Sequence, residues 1–123
     1  MHLKKIRLEL ARDHDFPEGS NERGYEFVAP LTPDDHLDAA AWKTHRERCA
    51  VRRFWKGEID ERGLLVHKPG GSWAFHYDDP DAADDEEAGY RFSQHLIRIG
   101  EYVSIREHKD HMRTFRVVSV TDI

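Results

Sequence analysis

A single cysteine, Cys49, is present in 123 residues, so no internal disulfide can form and nothing covalent staples the fold. No stretch approaches the ~18 consecutive apolar residues of a membrane-spanning helix. The opening MHLKKIRLELARD alternates apolar and charged side chains where a secretory signal would run apolar without a break, so cytoplasm is the expected compartment and no membrane partner is expected. The HExxH, CxxC and GxSxG patterns are missing, as is a glycine-rich phosphate loop, and with them the commonest motifs of metal, nucleophilic and nucleotide chemistry. An EF-hand reading of Asp79, Asp81 and Asp84 fails because Gly and Glu are not at the sixth and twelfth loop positions.

What remains is a polar but foldable composition, 38% hydrophobic and 35% charged, long enough for a single domain over residues 1–123 to bury a core. The formal charge of −5 is unevenly placed. Residues 78–87 hold seven acids and no base, so removing them leaves the rest of the chain at +2. That run reads as a solvated loop, because its acids repel and only alanines offer apolar contact.

The strongest structural signal is residues 100–120, GEYVSIREHKDHMRTFRVVSV. Val103 and Ile105 alternate with Tyr102, Ser104 and Arg106, and Phe115 and Val117 alternate with Thr114, Arg116 and Val118, the period of strands. Placing Val103 opposite Val117 and Ile105 opposite Phe115 brings Glu107 opposite Arg113 as an ion pair and leaves residues 108–112 as the loop. The run from Arg98 to Ile105, followed by a strand ending Val117-Val118-Ser119-Val120, resembles strand pairs of small SH3-like barrels. The whole chain also resembles an uncharacterised family of short bacterial proteins, a resemblance that carries no activity and no site residues with it.

Residues 3–10 form a strand with Ile6, Leu8 and Leu10 on one face, and residues 24–28 a second with Tyr25 and Phe27 inward. Residues 11–23 between them are a loop. Thr32 as cap, Pro33 at the first position and acids in the first turn predict one helix over residues 33–48. A strand over 51–59, an Asp60–Gly63 turn, a strand over 64–67, a turn at 68–71 and a strand over 72–77 with Trp73, Phe75 and Tyr77 on one face make a meander. Residues 90–99 suit either period, with a strand preferred at their start. The fold class is therefore α+β, mainly β: a curled antiparallel sheet or small barrel with one covering helix.

Nine histidines are the one excess that points to chemistry. His67 and His76 flank the 68–71 turn, and imidazoles on neighbouring strands can share a metal ion. A register pairing Val66 with Trp73 would hold them roughly 13 Å apart at ~3.3 Å per residue, too far for one ion. Cys49 at a helix end reads as a buried small hydrophobe, because the dipole there opposes a thiolate. Arg52-Arg53-Phe54-Trp55-Lys56 interleaves bases with aromatics, but one strand with a wet face gives the same string, and nucleic acid is disfavoured. The leading expectation is a non-catalytic binding or interaction module, without a cofactor. Its protein or small-molecule partner would meet the 11–23 and 78–87 loops. The alternative is a metal-binding barrel or metal-dependent enzyme using His67 and His76.

Overall fold

A computed structural model describes residues 3–78, 95–107 and 111–123, together with the backbone of 87–90. Eight strands follow in order: β1 (Leu3–Leu10), β2 (Ser20–Pro30), β3 (Ala50–Trp55), β4 (Glu61–His67), β5 (Trp73–Tyr77), β6 (Glu87–Tyr90), β7 (Tyr102–Glu107) and β8 (His111–Asp122). Each pairs antiparallel with the next, and β8 returns to β1, so the sheet closes on itself as a barrel. A helix, α1 (Ala39–His45), lies between β2 and β3. The mainly-β expectation with one covering helix holds.

Eight strands make a bore just wide enough for side chains to fill. Ile6 and Leu8 of β1, Tyr25 and Phe27 of β2, Leu65 of β4, Phe75 of β5, Val103 and Ile105 of β7 and Phe115 and Val117 of β8 are all buried in the core. Tyr25 lies 5.1 Å from both Phe75 and Phe115, and Phe27 lies 5.3 Å from Phe75, as ring centroids. Such pairs add about 0.5–1.5 kcal/mol each beyond the area they bury. The two ends close differently. At one, α1 drives Trp42 against the barrel, its indole Nε1 donating to the Leu65 carbonyl at 2.9 Å. At the other, Phe16 from the β1–β2 connection meets Trp55 edge-on, 6.0 Å between centroids.

Three local expectations are corrected. The helix begins at Ala39, capped by Asp38, whose carboxylate accepts from the Ala41 N–H at 3.0 Å. Thr32 spends its hydroxyl on the His36 N–H, Asp35 N–H bonds the Thr32 carbonyl, and Asp35 turns left-handed at φ +64°. A hydroxyl that bonds its local backbone stabilises a turn as readily as a helix start. After His45 the chain tightens into a 3-10 turn, Arg46–Arg48.

The β3–β4 turn comes earlier than expected. Gly57 takes the left-handed conformation, at φ +86°, and Glu58 N–H bonds the Trp55 carbonyl at 2.9 Å. Gly63 instead lies within β4, where a Cβ would stand 1.9 Å from the His76 carbonyl oxygen. That glycine marks a close strand approach rather than a turn.

The β7–β8 register is shifted by two residues. Val103 faces Phe115, Ile105 faces Arg113, and Glu107 faces His111. A two-residue slip keeps every side chain on its face, so the inward set is as expected, and the connecting turn shortens from 108–112 to 108–110. The acidic run falls largely at 79–86, outside the described residues. The meander face of Trp73, Phe75 and Tyr77 is inward as read, and Ile97 approaches β7 as a buried residue outside any strand.

Candidate functional site

The polar interior lies at the end that Phe16 closes. Val51, Arg53 and Trp55 share the inward parity of β3, so Arg53 enters the bore, and Glu107 arrives from the last position of β7. Both are only 6% exposed. Glu107 Oε2 accepts from Tyr25 Oη at 2.5 Å and from Arg53 Nε at 3.2 Å. Its Oε1 lies 3.1 Å from Arg113 Nε, although that N–H is not directed along the contact. The expected Glu107–Arg113 ion pair thus forms, on the diagonal of the ladder and not across it. Arg113 Nη1 reaches Asp13 at 2.7 Å and Asp15 at 3.2 Å, and Arg53 Nη1 reaches Glu58 at 3.1 Å. The guanidiniums of Arg23 and Arg53 lie 4.3 Å over Phe16 and 4.4 Å over Trp55. Charge and ring thus interleave across the plug.

This cluster closes the end of the bore with satisfied polar groups. A buried carboxylate gains from two guanidiniums and a phenol because each satisfies a lone pair that water can no longer reach. None of the surface grooves described next includes Glu107 among its walls.

The largest of these grooves, about 760 Å³, runs along the outer wall. Two irregularities flank β1 beside it: its register with β8 shifts between Arg7 and Leu8, and with β2 between Glu9 and Leu10. Bulges bend and twist the strand that carries them, which here parts the wall from the 11–19 connection. Glu9, Arg116 and Tyr102 lie side by side across β1, β8 and β7, with Arg12, Glu18 and Val118 nearby. Tyr102 is 55% exposed. The groove keeps its shape because the connection is folded on itself: Asp13 and Phe16 exchange backbone bonds at 3.0 and 3.1 Å, and Gly19 N–H bonds the Phe16 carbonyl at 2.9 Å.

Elsewhere the outer wall is laced with ion pairs. Glu26 is met by Lys5, Arg7 and Arg52, and Arg52 also holds Asp60 at 3.0 Å. This accounts for the interleaved string: Arg52 and Arg53 are committed to carboxylates, and Phe54 lies under Arg7 and Arg52 at 4.3 and 5.0 Å. Burial raises the Glu26 carboxyl, but the hydrogen bonds and charge of Arg52 and Lys5 outweigh it and hold the group below its ordinary 4.5.

His67 and His76 are not brought together. His67 pairs with Trp73 and lies against its ring, centroids 4.4 Å apart, and is edge-on to Trp42 at 6.0 Å. His76 sits opposite Leu64, is exposed, and has the opposite parity. The strand register is therefore one residue from the expected pairing of Val66 with Trp73, and the two rings look to opposite faces. Among the described residues no group of three His, Cys, Asp or Glu is placed to hold a metal ion. Cys49 is fully buried, and burial, against the opposing charge of Arg48, pushes its thiol up to about 11.

Of the loops expected to form a site, the first is shorter than the expected 11–23, because Ser20–Arg23 pair as the start of β2, and its remainder, 11–19, lines the large groove; the second lies outside the described residues apart from its ends. Sequence reading missed Tyr102 and Arg116 as groove residues, although their outward parity on β7 and β8 was legible. No described helix is long and apolar enough to cross a membrane. No family model, curated protein or solved structure matches the chain.

Proposed function

We propose that this protein is a small non-catalytic binding module that takes its ligand on the outer wall of the barrel, between the 11–19 connection and β8. One observation carries the reading. On a wall where Lys5, Arg7 and Arg52 are drawn to Glu26, the groove presents Arg12, Glu18 and Arg116, none of them ion-paired among the described residues, beside the exposed ring of Tyr102. Charges of both signs around an aromatic side chain suit a short extended peptide segment, with the ring as anchor and the charges setting orientation. The filled bore supports an external site, and the pinned connection lowers the ordering cost of binding. A cytoplasmic setting belongs to the same reading.

The test is a titration of ¹⁵N-labelled protein with a pool of short mixed-charge peptides. Shifts are expected at Gly19, Ser20, Tyr102 and Arg116, weakened by Tyr102→Ala and Arg116→Glu. Shifts centred on Phe27 and Phe75 in the bore, or turnover of the peptides, would overturn it.

A further inference from the structure

Four charged side chains line the outer-wall groove: Glu9, Arg12, Glu18 and Arg116. Glu9 is already engaged, its carboxylate meeting Arg7 Nε at 2.8 Å. The other three have no ion pair among the described residues, which leaves two guanidiniums facing one carboxylate. That sign is opposite to the chain's formal charge of −5. It also departs from the neighbouring wall, where Arg7 and Arg52 are both drawn to Glu26.

The groove has a polarity along β8. Ala11 N–H bonds the Thr114 carbonyl at 3.0 Å, which sets Arg12 at the Thr114 end. Arg116 stands in the middle, with Glu9 of β1 on one side of it and Tyr102 of β7 on the other. Gly100 N–H bonds the Val117 carbonyl at 2.8 Å, which brings Ile99 to the Val118 end. Ile99 and Tyr102 are both well exposed, so that end is apolar and open. Thr114, Arg116 and Val118 are alternate residues that span roughly 13 Å at ~3.3 Å per residue, the length of about four extended ligand residues.

We infer, on the strength of the outer-wall binding site proposed above, that its partner is an acidic segment of another protein, carrying one bulky apolar residue. The apolar residue meets Ile99, Tyr102 and Val118, and carboxylates at alternate positions beyond it meet Arg116 and then Arg12. A guanidinium presents a planar fork that a carboxylate can accept with both oxygens, and buried aromatic anchors beside such pairs carry most of the energy of a small interface. A basic segment would set its cations against Arg12 and Arg116 with Glu18 alone to receive them, and like charges brought together reject a partner. Glu9 and Glu18 flank the guanidiniums, which disfavours a continuous polyphosphate backbone on the same floor.

The experiment titrates the ¹⁵N-labelled full chain with three peptides of about six residues. They share one leucine and carry two glutamates, two glutamines or two lysines at alternate positions. The glutamate peptide is expected to bind at least about tenfold more tightly than the lysine peptide, with shifts at Ile99, Tyr102 and Arg116 and an affinity that falls as salt is added. The double substitution Arg12→Glu and Arg116→Glu should reverse the order, so that the lysine peptide binds better. Far-ultraviolet circular dichroism should stay unchanged, since both side chains are exposed. Tyr102→Ala should weaken all three peptides alike. Glutamate and lysine peptides of equal affinity in the groove, or an order that the double substitution fails to reverse, would overturn the acidic partner and leave the outer-wall site standing. No shift in the groove with any of the three would remove both. Tighter binding of a single-stranded oligonucleotide of similar length on the same residues would replace the acidic protein segment with a nucleic acid.

Discussion

The carboxylate of Glu107, at the end of β7, accepts a 2.5 Å hydrogen bond from the hydroxyl of Tyr25 on β2, across the bore between strands that are not neighbours. The same carboxylate touches Arg53 and Arg113. One side chain therefore ties β2, β3, β7 and β8 together at the end opposite α1. Removing it leaves two guanidiniums in a poorly hydrated site. Breaking a buried pair from one side costs about 3–5 kcal/mol. Glu107→Leu should lower stability by that order in urea denaturation, and Tyr25→Phe by about 1.5–3 kcal/mol, as for a hydrogen bond to a charged group. A Glu107→Leu variant as stable as wild type would show that the cluster only fills space.

The helix start gives a paired comparison. Asp38→Ala should cost about 0.5–2 kcal/mol as a lost N-cap. Thr32→Ala removes a turn bond outside the helix and should leave helical circular dichroism unchanged. A helix signal that falls with Thr32→Ala and not with Asp38→Ala would place the start at residue 33 after all.

How far the fold was legible follows from which signals act locally. Inward parity at Val103, Ile105, Phe115 and Val117 needs only alternation, and it was read correctly. The register of the same two strands was not, because slips of two residues leave every face unchanged and only the ladder as a whole chooses between them. Gly63 and Gly57 exchanged roles for a similar reason: a glycine next to Asp-Glu-Arg looks like a turn until the His76 backbone lies against it. The Arg52–Lys56 string read as a strand with one wet face did not single out Arg53 as inward, because a charge on an inward position makes sense only beside Glu107, 54 residues later. Of the sites, the 11–19 part of the expected 11–23 loop was legible from its composition, while Ser20–Arg23 proved to be strand. The groove it lines was not, since Arg116 and Tyr102 join it only through barrel closure.

Acid should weaken the outer wall in a defined direction. The Glu26 carboxyl is held below 4.5 in the folded chain by Arg52 and Lys5, so the unfolded chain takes up its proton first as pH falls. The stability it supplies is fully present above the unfolded value and is lost as pH drops through the folded one. Urea midpoints measured across that interval should fall less steeply in Glu26→Gln than in wild type. Identical slopes would mean that Lys5, Arg7 and Arg52 do not favour the ionised form.

The plug and the outer-wall groove share one fastening, Asp13. Its Oδ1 accepts from Arg113 Nη1 at 2.7 Å and from the Asp15 N–H at 2.9 Å, while its backbone exchanges bonds with Phe16. Arg113 keeps Glu107 and Asp15 as partners when Asp13 is lost, so the barrel end survives and the connection alone is released. Asp13→Ala removes a charge-assisted bond of about 1.5–3 kcal/mol, which makes local opening about tenfold or more frequent. Hydrogen exchange should therefore speed up at Phe16 and Gly19, whose amides bond within the connection, and stay unchanged at Leu65, whose amide bonds Cys49 between β3 and β4. The peptide-induced shifts at Gly19 and Ser20 should weaken in step. Unaltered exchange at Phe16 would mean that its contact with Trp55 holds the connection without Asp13. Faster exchange with undiminished peptide binding would show that the groove does not depend on a fixed 11–19 wall.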